Sequence, residues 1–199
     1  MGKIPKQYSG LGHHWFIEQL KKVESPSILE IGSRRIPGNA SNLHKDWAPH
    51  AAEFIGTDFM EGDDVDVLAD LHTLSMTFGT DRFDGVISCS TMEHVQFPWI
   101  AAVEIARVMK PGGVLFVQTH HTYPYHNFPA DYWRFTEDGL ATLFNPQIGF
   151  QVVSTASDIP CVIDSDRDKN LKHYPSYLNV LLIAKKIATP NSGHLWRPE

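Results

Sequence analysis

An α/β domain built on a mostly parallel sheet is what this 199-residue sequence predicts, and three observations predict it. Short apolar strand patterns alternate with helical ones, as they do where helices cross between parallel strands. Three of the first four strands run into an acidic residue or a glycine turn. The last two have no helical pattern between them, so they pair antiparallel.

The elements follow in order. Phe16, Leu20 and Val23 fall at i, i+4 and i+7 with Glu18, Lys21 and Lys22 on another face, which predicts an amphipathic helix before residue 25. Pro26 ends it. Ser27–Ile31 is a short apolar strand that stops at Gly32. Glu53–Thr57 is a second strand ending at Asp58, and Val65–Ala69, cleanly alternating, is a third ending at Asp70. Phe83–Cys89 is the fourth. Pro98 suits the first turn of a helix, which Ala102, Ile105, Ala106 and Met109 extend over 98–110. Lys110 suits the dipole of its last turn, and Pro111-Gly112-Gly113 stops it. Val114–Val117 is a fifth strand. A helix over Glu137–Phe144 precedes two more, Gln151–Val153 and Tyr177–Ala184. Residues 1–188 thus read as one domain, with 1–25 as an N-terminal helix or lid and 189–199 as a loose tail.

Composition narrows the function. Lys+Arg 17 against Asp+Glu 23 gives a net charge of -6 with no basic block, which argues against a nucleic-acid partner. Cys89 and Cys161 make neither a disulfide framework nor a C-x-x-C metal pair. No apolar run spans a bilayer and the first residues lack a signal core, so the expectation is a cytoplasmic protein without a membrane partner. Eleven histidines are the unusual feature.

In open α/β sheets, ligands bind beyond the carboxyl ends of the strands. Gly32 there lets a ligand approach the backbone, Asp58 stands where a carboxylate takes ribose hydroxyls, and Asp70 with Leu71 suits an adenine ring. Ile28-Leu29-Glu30-Ile31-Gly32, Asp58, Ala69-Asp70-Leu71, Phe83 to Ser88, Glu93-His94-Val95 and Ala106 to Gly113 together resemble the class I S-adenosylmethionine-dependent methyltransferases. The resemblance covers about residues 27–120. It implies a Rossmann-like, seven-stranded, mostly parallel sheet with an antiparallel last strand and helices on both faces. It further implies that S-adenosyl-L-methionine is the cofactor. Glu30, Gly32 and Ser33 would line its methionine end, Asp58 its ribose, Phe59, Asp70 and Leu71 its adenine, and Ser90 and Thr91 its sulfonium. Arg34 stands where that family usually has a second glycine. A dinucleotide fingerprint would need glycine at 34 and 37, where Arg34 and Pro37 stand, so a nicotinamide oxidoreductase is disfavoured.

For the methyl acceptor, Ser88-Cys89-Ser90-Thr91 lacks the Pro-Pro-aromatic and Pro-Cys signatures of nucleic-acid methyltransferases, which favours a small molecule or sugar. The stretch 119–136, dense in histidines and aromatics, leaves the carboxyl edge of the sheet. Its Asp131 to Thr136 portion looks like that of methyltransferases associated with bacterial glycan or natural-product biosynthesis. Tyr125, Asp131, Trp133 and Arg134 are therefore candidate acceptor contacts. Trp133 and Phe135 equally suit packing of the next helix, with Thr136 as its N-cap and Asp131 paired to Arg134. A hydroxyl acceptor must lose its proton, and His94, His120, His121 and His126 are the candidate bases. A metal held by His120, His121 and His126 is disfavoured, because neighbours on a strand point to opposite faces, and no metal is expected. The reading is an O-methyltransferase of a small polar acceptor, a sugar or glycoconjugate hydroxyl favoured. N- or C-methylation and a non-catalytic cofactor-binding module are the rivals.

Overall fold

Side chains alternate across a strand, so neighbouring residues of one strand feed two different cores. Leu29, Val86, Leu115 and Leu182 join the larger core on one side of the sheet. Their neighbours Ile28, Ile87, Phe116 and Ile183 join a smaller one on the other side. The computed structural model describes residues 11–41 and 43–190, so residues 1–10 of the expected lid and all but the start of the expected tail lie outside the described residues.

Seven strands form one sheet: β1 (Ser27–Ile31), β2 (Glu53–Asp58), β3 (Val67–Leu68), β4 (Phe83–Cys89), β5 (Met109–His120), β6 (Phe150–Cys161) and β7 (Ser176–Lys186). Their order is β3-β2-β1-β4-β5-β7-β6. β1 pairs parallel with β2 and β4, and β7 lies antiparallel between β5 and β6. Helices α2 (Leu74–Phe78), α3 (Pro98–Val108) and α4 (Glu137–Leu143) cover the larger core, where Leu74, Phe78, Ile105, Leu140 and Leu143 are buried. Helix α1 (Leu11–Leu20) covers the other face through Phe16 and Leu20, as its spacing predicts.

Several boundaries differ from expectation. β3 keeps only Val67–Leu68 of the alternating run. Met109 is already extended (φ -82, ψ 143), so α3 stops at Val108 and β5 begins there. β5 then steps out of register between the Met109–Phe83 and Val114–Gly85 pairs, and the Pro-Gly-Gly turn sits in that irregularity. β6 runs to Cys161 rather than Val153, because an edge strand half open to solvent carries polar residues that hide its pattern. Among its described residues, the β1–β2 crossover, 32–52, carries only a 3-10 turn (Lys45–Trp47). In place of a crossover helix, Trp47 meets Phe116 edge-on, with ring centroids 5.1 Å apart, and Ala48 is buried.

Fully buried Lys186 donates to Asp81 (2.7 Å) and to the Met109 carbonyl, tying the end of β7 to the start of β5.

Candidate active site

The carboxyl ends of β1, β2, β4 and β5 open on a cleft of about 550 Å³, within the size range of cofactor and metabolite sites. One end is lined by Glu30, Gly32, Ser33, Asp58, Phe59, Leu71, Ser90 and Thr91. Eight of the nine residues expected at the cofactor therefore border one cavity, while Asp70 does not.

The turn after β1 shows why. Gly32 has φ +75, and a methyl group there would fall 2.0 Å from Thr91 Oγ1. The Gly32 and Ser33 amides donate to the Thr57 carbonyl (2.8 and 3.1 Å), binding the turn to β2. Thr91 donates towards the Ile31 and Cys89 carbonyls, closing the turn from the β4 side. Ser90 beside it holds φ 48, a left-handed conformation that is uncommon outside glycine and that clusters at functional sites. Ser33 Oγ is buried with no hydrogen-bond partner. That orphaned hydroxyl, beside a turn with no room for a Cβ, suits a polar ligand bound close against the backbone. Asp58 keeps one oxygen on the Met60 amide (3.0 Å), and Phe59 is exposed at the rim.

Two acidic residues engage histidines. Buried Glu30 accepts from the backbone and ring Nδ1 of His44 (2.9 and 2.8 Å), which anchors the β1–β2 crossover to β1. Asp70 caps the 3-10 turn that follows β3, accepting from the amide and ring of His72 (2.9 and 2.6 Å). Nε2 of His72 in turn accepts from the Phe97 amide (3.2 Å). Asp70 thus fixes the turn that presents Leu71 to the cleft. His44, which lines the cleft, was not singled out from sequence, because its acidic partner stands 14 residues earlier on another element.

At the other end stand His94, His120, Tyr123, His126 and Phe128, with Arg34 packed 4.9 Å over the Phe128 ring. Three of the four candidate histidines meet here around one carboxyl group. Glu93 is fully buried and its Oε2 accepts from Thr119 (2.6 Å). Glu93 Oε1 lies 3.0, 3.8 and 3.9 Å from Nε2 of His120, His94 and His126, yet has no hydrogen-bond partner among the described residues. Each ring is held from behind through Nδ1. His94 faces the Ala130 carbonyl, His120 the Asn179 side-chain oxygen (3.0 Å), and His126 the Pro124 carbonyl (3.2 Å) and Asp131 (3.3 Å). The Ala130 and Pro124 carbonyls and the Asp131 carboxylate only accept, so in His94 and His126 Nδ1 carries the proton and, in a neutral ring, Nε2 offers its lone pair to the cluster. Burial holds His120 below the ordinary histidine value, against the opposite pull of Glu93.

His121 is not brought into the cleft. It follows β5 one residue after His120, on the opposite side, with its ring on Thr122 (2.9 Å). Tyr125 is 75% exposed and does not border the cleft either. Asp131, Trp133 and Arg134 lie behind the wall, where they hold it in place. Arg134 grips Asp131 through both oxygens and donates to the Tyr123, Pro124 and Trp133 carbonyls. Asp131 also accepts from the His126 amide (2.8 Å), and the Arg134 guanidinium holds its carboxyl well below the usual carboxylate range. Trp133 donates to the Val95 carbonyl (2.9 Å), and Thr136 caps α4. Asp131→Asn is expected to cost about 3 kcal/mol, as breaking a buried ion pair does, in denaturant unfolding.

Burial, with Glu30 and Glu93 nearby, pushes the Cys89 thiol far up, so at neutral pH it stays protonated and unreactive.

Residues 39–117 match the family described as a methyltransferase domain. No curated protein matches the chain by sequence. Among solved structures, the fold is similar to the YcgJ protein of Bacillus subtilis (TM-score 0.62, 16% identity, covering 89% of this chain and 98% of that one). It is similar to the 1,6-didemethyltoxoflavin-N1-methyltransferase of Burkholderia thailandensis, solved with its substrate and S-adenosylhomocysteine (0.61, 14%, covering 92% and 80%). A third is an S-adenosylmethionine-dependent methyltransferase of Archaeoglobus fulgidus (0.59, 16%, covering 87% and 94%).

Proposed function

We propose that this chain, a class I S-adenosylmethionine-dependent methyltransferase, methylates a hydroxyl of a small polar acceptor, with a sugar or glycoconjugate favoured. The observation that carries the reading is the set of Nε2 lone pairs of His94 and His126 turned into the cleft beyond Ser90 and Thr91. Held at the glycine-turn end by Gly32, Ser33 and Asp58, S-adenosylmethionine would supply an electrophilic methyl on a sulfonium, with S-adenosylhomocysteine, the neutral thioether, as the leaving group. What remains for the protein is to align the acceptor, exclude water and take the hydroxyl proton. His94 or His126 receives that proton at Nε2, and the Ala130 carbonyl or Asp131 steadies the imidazolium formed. Tyr123 and Phe128 offer partly exposed aromatic faces of the kind that stack on sugar C–H surfaces. N-methylation is the second reading, favoured by the Burkholderia neighbour, whose name states an N1 acceptor.

The cofactor half is tested by melting. S-adenosylhomocysteine is expected to raise Tm and NADH to leave it unchanged. Asp58→Ala is expected to weaken S-adenosylhomocysteine by about 1.5–3 kcal/mol, the loss of a charge-assisted hydrogen bond. Stabilisation by NADH instead, or an unaltered affinity in Asp58→Ala, would sink the assignment.

A further inference from the structure

Glu93 Oε1 poses a problem that the base reading leaves open. It is buried and has no hydrogen-bond partner among the described residues, and the Nε2 lone pairs of His94 and His126 face it, so acceptors converge on acceptors. In a low-dielectric interior such an arrangement calls for positive charge at its centre. We propose that Glu93, His94 and His126 form a divalent-cation site at the acceptor end of the cleft, with zinc the best-fitting ion and one coordination position open to the acceptor. With an ion bound, both Nε2 lone pairs are its ligands, so the ion takes the place of the histidine base in the acceptor reading above; that part rests on the reading, while binding of the ion does not.

The geometry supports it. One ligand atom from each of the three residues lies within 4.8 Å of the others. The two Glu93–histidine separations are 3.8 and 3.9 Å. Tetrahedral ligands around zinc, at bonds of about 2.0–2.1 Å, stand about 3.3 Å apart, so the two Glu93–histidine separations need an inward movement of roughly half an ångström. Imidazole with carboxyl oxygen is a zinc-type donor set, and three protein ligands with a free position mark sites that bind substrate. The supporting contacts are those of a metal centre. Both histidines are fixed through Nδ1, by the Ala130 carbonyl and by Asp131 with Pro124, and Thr119 holds the second Glu93 oxygen. His120, 3.0 Å from the carboxyl and anchored on Asn179, lines the cleft beside the trio. The trio considered from sequence, His120, His121 and His126, fails because His121 faces away. Glu93 and His94 take the places of His120 and His121.

The test is zinc uptake by the full chain after chelation, read by equilibrium dialysis and elemental analysis, with Co²⁺ absorption as a coordination signature. The expected result is one ion per chain and intense visible Co²⁺ bands. Affinity falls at least about 10-fold in Glu93→Gln, His94→Ala and His126→Ala, and stays unchanged in His173→Ala, whose imidazole is exposed elsewhere. Should Glu93→Gln fail to fold, His126→Ala decides, since its side chain is 32% exposed and its loss leaves the core intact. No stoichiometric uptake by the parent protein, or uptake unaltered in His126→Ala, overturns the site. S-adenosylhomocysteine binding is followed in the same samples. Its absence strikes the methyl-transfer reading, whereas absent zinc uptake strikes the cation site alone.

Discussion

His94→Ala and His126→Ala are each expected to slow methyl transfer about 10²–10⁴-fold, the usual worth of a positioned acid–base group. S-adenosylhomocysteine affinity is expected to stay within error, because neither ring belongs to the glycine-turn end of the cleft. The measurement is single-turnover transfer to the acceptor at saturating cofactor, with cofactor affinity from calorimetry. The two substitutions are not expected to add, since both rings face one carboxyl oxygen and act as a unit. His121→Ala serves as the contrast, with its ring on Thr122 outside the cleft, and is expected to keep its rate. A full rate in both His94→Ala and His126→Ala would leave alignment alone to carry the reaction.

Gly32→Ala is expected to abolish measurable cofactor binding and to cost about 2–5 kcal/mol of stability, from left-handed strain plus overpacking. The position excludes a side chain twice over. Its φ is +75, and the new methyl would sit 2.0 Å from Thr91 Oγ1 and 2.9 Å from Thr91 Cβ. A second substitution, Thr91→Gly, removes the collision and leaves the strain. The double variant is therefore expected to lose less than the sum of the single losses, a coupling that denaturant unfolding of all four proteins measures. Strict additivity would show that the two residues do not meet.

The cofactor end was legible in sequence because each of its residues sits at a strand terminus. Gly32 and Ser90 follow β1 and β4 directly and Asp58 ends β2, and strand order in a parallel sheet brings such termini together. The acceptor end was legible only in part. His94, His120 and His126 stood out as histidines at the correct edge, but Glu93 entered only as part of the Glu93-His94-Val95 motif, with no role of its own. Its importance arises from a contact with Thr119, 26 residues away, and from the Tyr132 and Trp133 amides on its own carbonyl. Asp131, Trp133 and Arg134 read as acceptor contacts because polar and aromatic residues near a site do either job. Only the closed ion pair and the Val95 hydrogen bond separate the two. The length of β6 was hidden by its exposure, and the start of β5 by Pro111 and Gly112, which suggest a stop.

The position of β7 sets an order of synthesis for the acceptor wall. This strand is the last to leave the ribosome among the seven, yet it lies between β5 and β6 and supplies Asn179 to His120. Until residues 176–186 emerge, β5 has an open edge, β6 has no neighbour, and the His120 ring lacks its anchor. A nascent chain can therefore assemble β1 to β4 and the glycine turn early, whereas the histidine wall waits for the final strand. A chain cut after β6 would keep the residues of the glycine-turn end but expose Thr119 and His120 along an unpaired apolar edge, a surface that invites aggregation before catalysis.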